Sequence, residues 1–361
     1  MSTTYRVGII GTGGIAGWHA EYYQAHPQTE IVSGADLNPE RLQAFCDAHH
    51  IPARFADHRE LLADDCPDIV SICTWSGTHS EIGIAAAEAG CQGIICEKPM
   101  AETLSDACDM LVAAEENGAK LAIHHQTRCS PVHTAVREAL AAGLIGQPLL
   151  IHRRVSDGLL NSGSHALDAV LYILGDPQAT WVLGQAGRTT DRHERGTPIE
   201  DLCAAIVAFP DGTRLVLESD LPAPHLGSWS FVHGAEGLIR FNAEEAFVLS
   251  SARTPDTRVG PAGDWAPLTL TPQPGYLEEF IAWLEGGPDH RCSGRRSRGA
   301  QELMMALYAS ARDREPALLP LGRPGNALLE AIAEGELPAT GDPYDIRSAE
   351  AMAYAEGRRA M

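Results

Sequence analysis

Four groups of residues in this chain carry chemistry at spacings that suit it. Gly11-Thr12-Gly13-Gly14-Ile15-Ala16 fits the pattern G-x-G-x-x-G/A. The first glycine of that pattern makes a tight turn. The second lets the backbone approach a pyrophosphate, and the small residue at Ala16 lets a helix pack closely on a strand. A helix that opens there offers its first N–H groups to phosphates. Asp36 follows about twenty residues after Ala16, where a carboxylate accepts hydrogen bonds from ribose hydroxyls. Such a carboxylate repels a 2′-phosphate and so favours NAD over NADP, although Arg41, one turn further on, softens that preference.

Glu97-Lys98-Pro99 places two charges at the end of an apolar run. Lys98 is the candidate general base, because burial and a neighbouring nicotinamide cation would both depress its pKa. Pro99 stiffens the backbone that aims it. A plain surface Glu–Lys pair on a turn is the competing reading. The fourth group is Asn161, His165, Asp168 and Tyr172. On a regular helix beginning near Asn161 these fall within an arc of about 60°. Leu167, Val170, Leu171 and Leu174 take the opposite arc, so one face packs and the other presents polar groups, as an ordinary amphipathic surface helix also would.

The elements that must position these residues are legible as alternation. Tyr5–Ile10, Ile31–Ala35, Ile69–Cys73, Gly93–Cys96 and Leu121–Ile123 read as short strands buried on both faces. Pro39–His49, His79–Ala89 and Leu104–Asn117 read as the intervening helices, with Asn38 and Thr103 as N-caps and Gly90 and Gly118 as stops. Strand and helix alternating at this pitch predict a doubly wound parallel α/β sheet, a Rossmann domain over 1–126. The texture then changes. Leu202–Phe209 and Leu215–Ser219 flank Pro-Asp-Gly-Thr, and Trp229–His233 and Leu238–Phe241 flank Gly-Ala-Glu-Gly, two hairpin signals that predict an antiparallel sheet in a second domain over 127–361. Its C-terminal segment is expected to pack back on the first domain.

Composition narrows the function. The 361 residues carry 27 Lys plus Arg against 48 Asp plus Glu, a formal net charge of −21. A surface this acidic argues against nucleic acid and anionic membranes as partners. There is no apolar run long enough to span a membrane, and no signal peptide is expected from the polar start and the glycine turn that ends Val7–Ile10. Nine cysteines, an odd number with no Cys-x-x-Cys pair, fit a reducing, cytoplasmic setting and offer no legible zinc site.

Taken together, these motifs resemble the Gfo/Idh/MocA oxidoreductases, named for glucose–fructose oxidoreductase and inositol dehydrogenase. The resemblance rests on Val7 to Gly13, Thr74 to His79, Glu97-Lys98-Pro99-Met100-Ala101, Gln126-Thr127-Arg128, Ile145-Gly146 and Gly163 to Asp168. It implies a nicotinamide dinucleotide in the first domain and an α+β second domain with a large open, mostly antiparallel sheet, through which the chain forms a homodimer or homotetramer. It implies hydride transfer to or from a sugar, inositol or other polyol, here a neutral one, and a cis Lys98–Pro99 bond. The cofactor residues it implies are Gly11, Gly13, Gly14, Ile15, Ala16, Asp36, Thr74, Trp75, His79, Glu97 and Lys98. Lys98, Arg128, Asn161, His165 and Asp168 are assigned to substrate, with no metal.

Several of these positions stay open. Asn161 stands where many members carry Asp, and an amide cannot take a proton at neutral pH. Asn161 is therefore read as orienting substrate, with the acid–base work on Lys98 and His165. Trp75 stands where many members have Pro, and either lines the pocket or packs. His79 supports the following helix near the cofactor. Arg128 either anchors a substrate oxygen or makes a structural salt bridge. Two rival functions share the motifs: a redox-neutral glycosidase with tightly held NAD, and a dinucleotide-sensing regulatory protein.

Overall fold

The computed structural model describes residues 4–221, 229–250 and 265–347. They divide into two units: residues up to Gln126 together with Pro274–Arg298, and Thr127–Gln273 with the residues from Gly299 onward.

In the first unit, β1 (Tyr5–Ile10), α1 (Gly14–Ala25), β2 (Thr29–Ala35), α2 (Pro39–His49), β3 (Ala53–Phe55), α3 (His58–Asp64), β4 (Ile69–Ile72), α4 (Ser76–Glu88), β5 (Gly93–Cys96), α5 (Leu104–Glu116) and β6 (Lys120–Ile123) alternate as expected. The six strands are all parallel in the order β3-β2-β1-β4-β5-β6. That order reverses between β1 and β4, the place where such sheets bind ligands beyond their carboxyl ends. Capping follows the sequence at α2, where Asn38 Oδ1 accepts the Arg41 N–H at 2.9 Å, and at α5, where Thr103 Oγ1 accepts the Asp106 N–H at 3.1 Å. Helix α4 begins three residues earlier than expected, because Ser76-Gly77-Thr78 forms its first turn.

The two faces of this sheet are covered differently. Leu61, Ile82, Met110 and Ala114 of α3, α4 and α5 pack on one face against Val70, Ile72 and Ile94. Ala16, Ala20 and Tyr23 of α1 and Leu42 and Phe45 of α2 pack on the other, which two helices leave incomplete. The helix Tyr276–Leu284 completes it with Leu277, Phe280 and Ile281. A Cβ on Gly93 would stand 2.8 Å from the Phe280 ring, so glycine there admits the ring. The edge strand β6 is met by the same returning segment, with the Ile123 N–H donating to the Cys292 carbonyl at 2.9 Å. The helical spacing of Leu277, Phe280 and Ile281 was readable, but their destination was not. Phe280→Ala is expected to destabilise the first unit by about 3–5 kcal/mol through its cavity, as read by denaturant unfolding, whereas a loss below about 1 kcal/mol would mean that this helix is dispensable to the sheet.

A short 3₁₀ turn, Gln126–Cys129, carries the chain into the second unit, which continues with α6 (Pro131–Ala141), β7 (Pro148–Val155) and α7 (Ser164–Ile173). Its remaining strands are β8 (Trp181–Gly187), β9 (Thr190–Glu194), β10 (Thr197–Pro198), β11 (Leu202–Ala208), β12 (Arg214–Ser219), β13 (Ser230–Gly234), β14 (Gly237–Phe241), β15 (Ala246–Ser250), β16 (Ala266–Pro267), β17 (Ala317–Leu318) and β18 (Thr340–Asp345). Among the described residues, nine of the unit's strands form one sheet in the order β16-β15-β14-β13-β7-β12-β11-β8-β17. Every pair is antiparallel except β7 with β12. Strand β7 sits mid-sheet yet escaped the pattern, because His152, Arg153 and Arg154 break its apolar alternation. One face of the sheet buries Ile151, Val182, Val207, Leu215, Leu217, Val232 and Ile239.

The segment carrying Asn161 and His165 departs from the expected regular helix. Gly158–Gly163 is wound as a π-helical turn, and α-helix begins only at Ser164. The 100° arithmetic therefore fails between Asn161 and His165. Nor does α7 present a polar face to solvent. Asp168 and Tyr172 are buried with the apolar residues, and His165 alone among residues 163–173 is not buried. No helix among the described residues is long and apolar enough to cross a membrane.

Candidate active site

The glycine loop has the geometry its sequence requires. Gly11 has φ +85°, and a Cβ on it would lie 2.8 Å from the backbone of Cys73 and Thr74, so only glycine fits. A Cβ on Gly13 or Gly14 would meet nothing within 4 Å, which leaves the space before the loop open. Gly13 also occupies the N-cap of α1 without any side-chain cap, and the α1 N–H groups are thus available to an anion. Ala16 is fully buried against the sheet.

Asp36, at the end of β2, accepts hydrogen bonds from the Thr12 N–H at 2.8 Å, the Thr12 hydroxyl at 3.0 Å, the Asn38 N–H at 2.8 Å, and Arg41 Nε and Nη2 at 3.1 and 2.9 Å. Burial opposes its charge, but Arg41 and the N–H groups of Asn38 and Thr12 outweigh it and hold the carboxyl below its ordinary range. A cleft of about 420 Å³ opens here. It brings together Gly11, Gly13, Asp36, Thr74 and Trp75 from the expected set, with Arg41 added. Trp75 lines this cleft and is 58% exposed, so it is not a packing residue. An open glycine cradle, an uncapped helix start and a carboxylate at the next strand end fit a dinucleotide.

The Lys98–Pro99 bond is cis. Lys98 follows β5 and is partly exposed. Glu97 is buried, and its side chain turns into the protein. Its Oε1 accepts from His124 Nδ1 at 2.6 Å and from His19 Nε2 at 3.0 Å. His79 is also buried, with Nδ1 2.9 Å from the Pro99 carbonyl and Nε2 3.1 Å from the Thr74 carbonyl, so it links the two loops rather than lining the cleft. Glu97 and His79, both expected to touch cofactor, each make two protein contacts here.

In the second unit Arg128 is fully buried. Its Nε and Nη2 donate to the two oxygens of Asp168 at 2.7 and 2.8 Å, and its Nη1 donates to Asp176 at 2.6 Å. The guanidinium thus spends its fork on two carboxylates. Of the two readings of Arg128, the salt bridge is the one formed, and the pair bolts α7, which carries His165, to the 3₁₀ turn. The groups of Arg128 and Asp168 that were expected to meet substrate are here paired with each other. The chain enters the π-helical turn through Asp157 at φ +70° and Gly158 at φ +82°. Their N–H groups donate to Asp220 at 2.9 and 2.8 Å, and the Leu159 N–H donates to Glu200 at 2.7 Å. Tyr308 donates its hydroxyl to the same Glu200 at 2.6 Å. Burial pushes the Glu200 carboxyl up, against these donors. A π-turn braced by the buried Glu200 and the half-buried Asp220 positions Asn161.

Residues 5–125 match a family model described as oxidoreductase family, NAD-binding Rossmann fold, and residues 152–319 match its companion, the oxidoreductase-family C-terminal alpha/beta domain. A 1,5-anhydro-D-fructose reductase from Ensifer adhaerens is 37% identical over 254 residues, 65% of this chain and 74% of the relative. The chain belongs to the Gfo/Idh/MocA oxidoreductase family. A D-apiose dehydrogenase from Paraburkholderia graminis is 27% identical over 338 residues, covering 86% of this chain and 88% of the relative. Among solved structures, the WlbA dehydrogenase from Bordetella pertussis, in complex with NADH and UDP-GlcNAcA, has a TM-score of 0.72 at 24% identity, covering 88% of this chain and 99% of that one, a likeness of fold.

In this Gfo/Idh/MocA oxidoreductase, the site residues that sequence reasoning missed are the ones that hold others. His19 lies eight residues after Gly11, on the buried face of α1. The helical spacing from Ala16 to His19, Ala20 and Tyr23 was a usable signal that His19 points into the sheet. Glu200, Asp220 and Tyr308 gave no local signal, because Glu200 and Asp220 meet the π-turn from distant parts of the chain and Tyr308 meets Glu200 from another.

Proposed function

We propose that the chain is an NAD-dependent dehydrogenase that moves a hydride between a hydroxyl-bearing carbon of a neutral sugar, sugar derivative or polyol and the nicotinamide. The observation that carries this is Lys98, an amine following β5 in the unit that holds the open glycine cradle. Gly11, Gly13, Gly14, Ile15 and Ala16 would hold the pyrophosphate, and Asp36 the ribose hydroxyls. Thr74 and Trp75 would flank the cofactor. NAD, when bound, supplies the nicotinamide that accepts the hydride. Lys98 takes the proton of the substrate hydroxyl, His165 hydrogen-bonds the same oxygen, and Asn161 orients a neighbouring hydroxyl. The substrate class is supported by the sugars named for the relatives, the D-apiose dehydrogenase and the 1,5-anhydro-D-fructose reductase. The net charge of −21 suits an uncharged substrate better than a phosphorylated one. The test is a panel of aldoses, glycosides and inositols with NAD, followed by NADH absorbance, after mass spectrometry of any cofactor released from the purified protein. Net NADH formation with a neutral polyol supports the reading. Substrate consumption with no net NADH, over a tightly held cofactor, would replace it with the redox-neutral glycosidase.

NAD is the preferred cofactor because Asp36 repels a 2′-phosphate. Asp36→Ser removes that repulsion and frees Arg41 for a phosphate. The ratio of kcat/KM for NADP to that for NAD is expected to rise about 10–100-fold, the worth of one charge-assisted hydrogen bond. An unchanged ratio would show that Asp36 does not meet the ribose.

A second copy of the chain would dock on the outer face of the nine-stranded sheet. Leu183, Ile206, Val216, His152 and Phe231 are successive cross-strand neighbours there, and Leu183 and Ile206 are 43% and 38% exposed. Light scattering is expected to give a dimer or tetramer, and Ile206→Glu to dissociate it.

A further inference from the structure

The buried cluster of Glu97, His19 and His124 has the residue types of a metal site, with its potential ligand atoms within 4.8 Å of one another. Its geometry is different. Both nitrogens approach the same oxygen, at 3.0 and 2.6 Å. Two ligands of one tetrahedral zinc, with bonds of about 2.0–2.1 Å, stand about 3.3 Å apart. These contacts are hydrogen bonds to a carboxylate. His19 completes its side with Nδ1 at 2.7 Å from the Ser71 hydroxyl, the partner that leaves Nε2–H to donate to Glu97.

Burial opposes the Glu97 charge, but the hydrogen bonds from His124 and His19 outweigh it and hold the carboxyl well below its ordinary range. Burial also pushes His19 down, to the neutral ring. The other titratable groups facing Glu97 are His124 at the end of β6 and the thiols of Cys73 and Cys96, both pushed up by burial and by Glu97 itself, hence uncharged. A buried anion is seldom the most stable way to join elements that backbone ladders already join, since apolar side chains of the same size serve as well or better. Strand β5 is already paired with β4 and β6 along its length. The charge sits instead directly against the next residue, whose N–H points at Glu97 Oε2 from 3.3 Å. That residue is Lys98, one of only two lysines in a chain with 27 Lys plus Arg.

We propose that Glu97 is the positioning residue for Lys98: anchored by His19 of α1 and His124 beyond β6, it fixes the backbone from which the amine projects and, as a buried anion against that backbone N–H, raises the proton affinity of the amine. This rests on the reading of Lys98 as the base.

The test uses the full-length protein and needs no substrate. Acetic anhydride labels unprotonated amines, and peptide mass spectrometry across pH gives a midpoint for Lys98, with Lys120 as the internal control. An anion beside an ammonium favours the charged form. In Glu97→Gln the Lys98 midpoint is therefore expected to fall by about one pH unit, with Lys120 unmoved. A second variant covers the case in which glutamine disturbs folding. His19→Leu/Glu97→Met/His124→Phe replaces the whole network with apolar groups of similar size, a change that tends to preserve stability, and the same fall is expected. A folded variant of either kind with the wild-type Lys98 midpoint overturns the proposal, because a merely structural glutamate would leave that midpoint alone. Lys98→Ala separates the two readings. If it keeps full turnover, the base assignment fails whatever the midpoints do. If it is inactive while the midpoints coincide, only the role of Glu97 fails.

Discussion

Lys98→Ala should lower turnover by about 10²–10⁴ while NAD still binds within a few-fold, the range that a positioned general base contributes. The expectation follows from what the side chain can do that its substitutes cannot. Lysine can lose its proton in a desolvated site, whereas arginine stays charged at any pH the protein survives. Lys98→Arg is therefore expected to be as inactive as the alanine variant despite keeping the charge. Arginine supplies 25 of the 27 basic side chains, which makes a lysine at this position informative about chemistry rather than about surface charge. The loss should fall on kcat, since the proton is taken in the transition state and not on binding. A small primary amine added to the alanine variant is expected to restore part of the rate. If Lys98→Ala retains turnover within about tenfold of wild type, less than a positioned base contributes, the base must be sought elsewhere, with His165 the next to test.

The first unit was legible because its signals are local. A glycine loop between a strand and a helix, an acid at the next strand end and short apolar runs between capped helices all depend on residues close in sequence. The cis Lys98–Pro99 bond came from the resemblance, not from spacing. What escaped was long-range. The Pro274–Arg298 return covers a face of a sheet whose last strand ends at Ile123, about 150 residues earlier. Glu97 looked like a ligand residue because its partners, His19 and His124, lie on other elements. In the second unit the reading of Asn161, His165, Asp168 and Tyr172 as one polar stripe assumed a regular helix in water. The π-turn displaces Asn161 from that register, and burial turns Asp168 and Tyr172 into core groups. Nothing local could have said so, because Arg128, the partner that makes a buried Asp168 tolerable, is forty residues away.

That partnership makes Arg128→Met the most damaging single change expected in the second unit, and the result separates the two roles an arginine here could have. Arg128 and Asp168 are both fully buried and share two hydrogen bonds of 2.7 and 2.8 Å. Removing the guanidinium leaves the Asp168 carboxylate in a medium that cannot solvate it, a loss of about 3–5 kcal/mol. Asp176 is affected less, since Arg137 stands 3.6 Å from its other oxygen. Asp168→Leu alone should cost a similar amount by leaving the guanidinium underpaired. The double variant Arg128→Met/Asp168→Leu removes both charges together and should recover much of the loss. The cycle is then expected to show a coupling of at least about 2 kcal/mol in denaturant unfolding. A substrate-anchoring arginine would behave otherwise. Its loss would raise KM, leave the unfolding midpoint near wild type and show no coupling to Asp168. The bidentate geometry inside the protein predicts the first pattern, with loss of activity following from a helix α7 that no longer holds His165 in place.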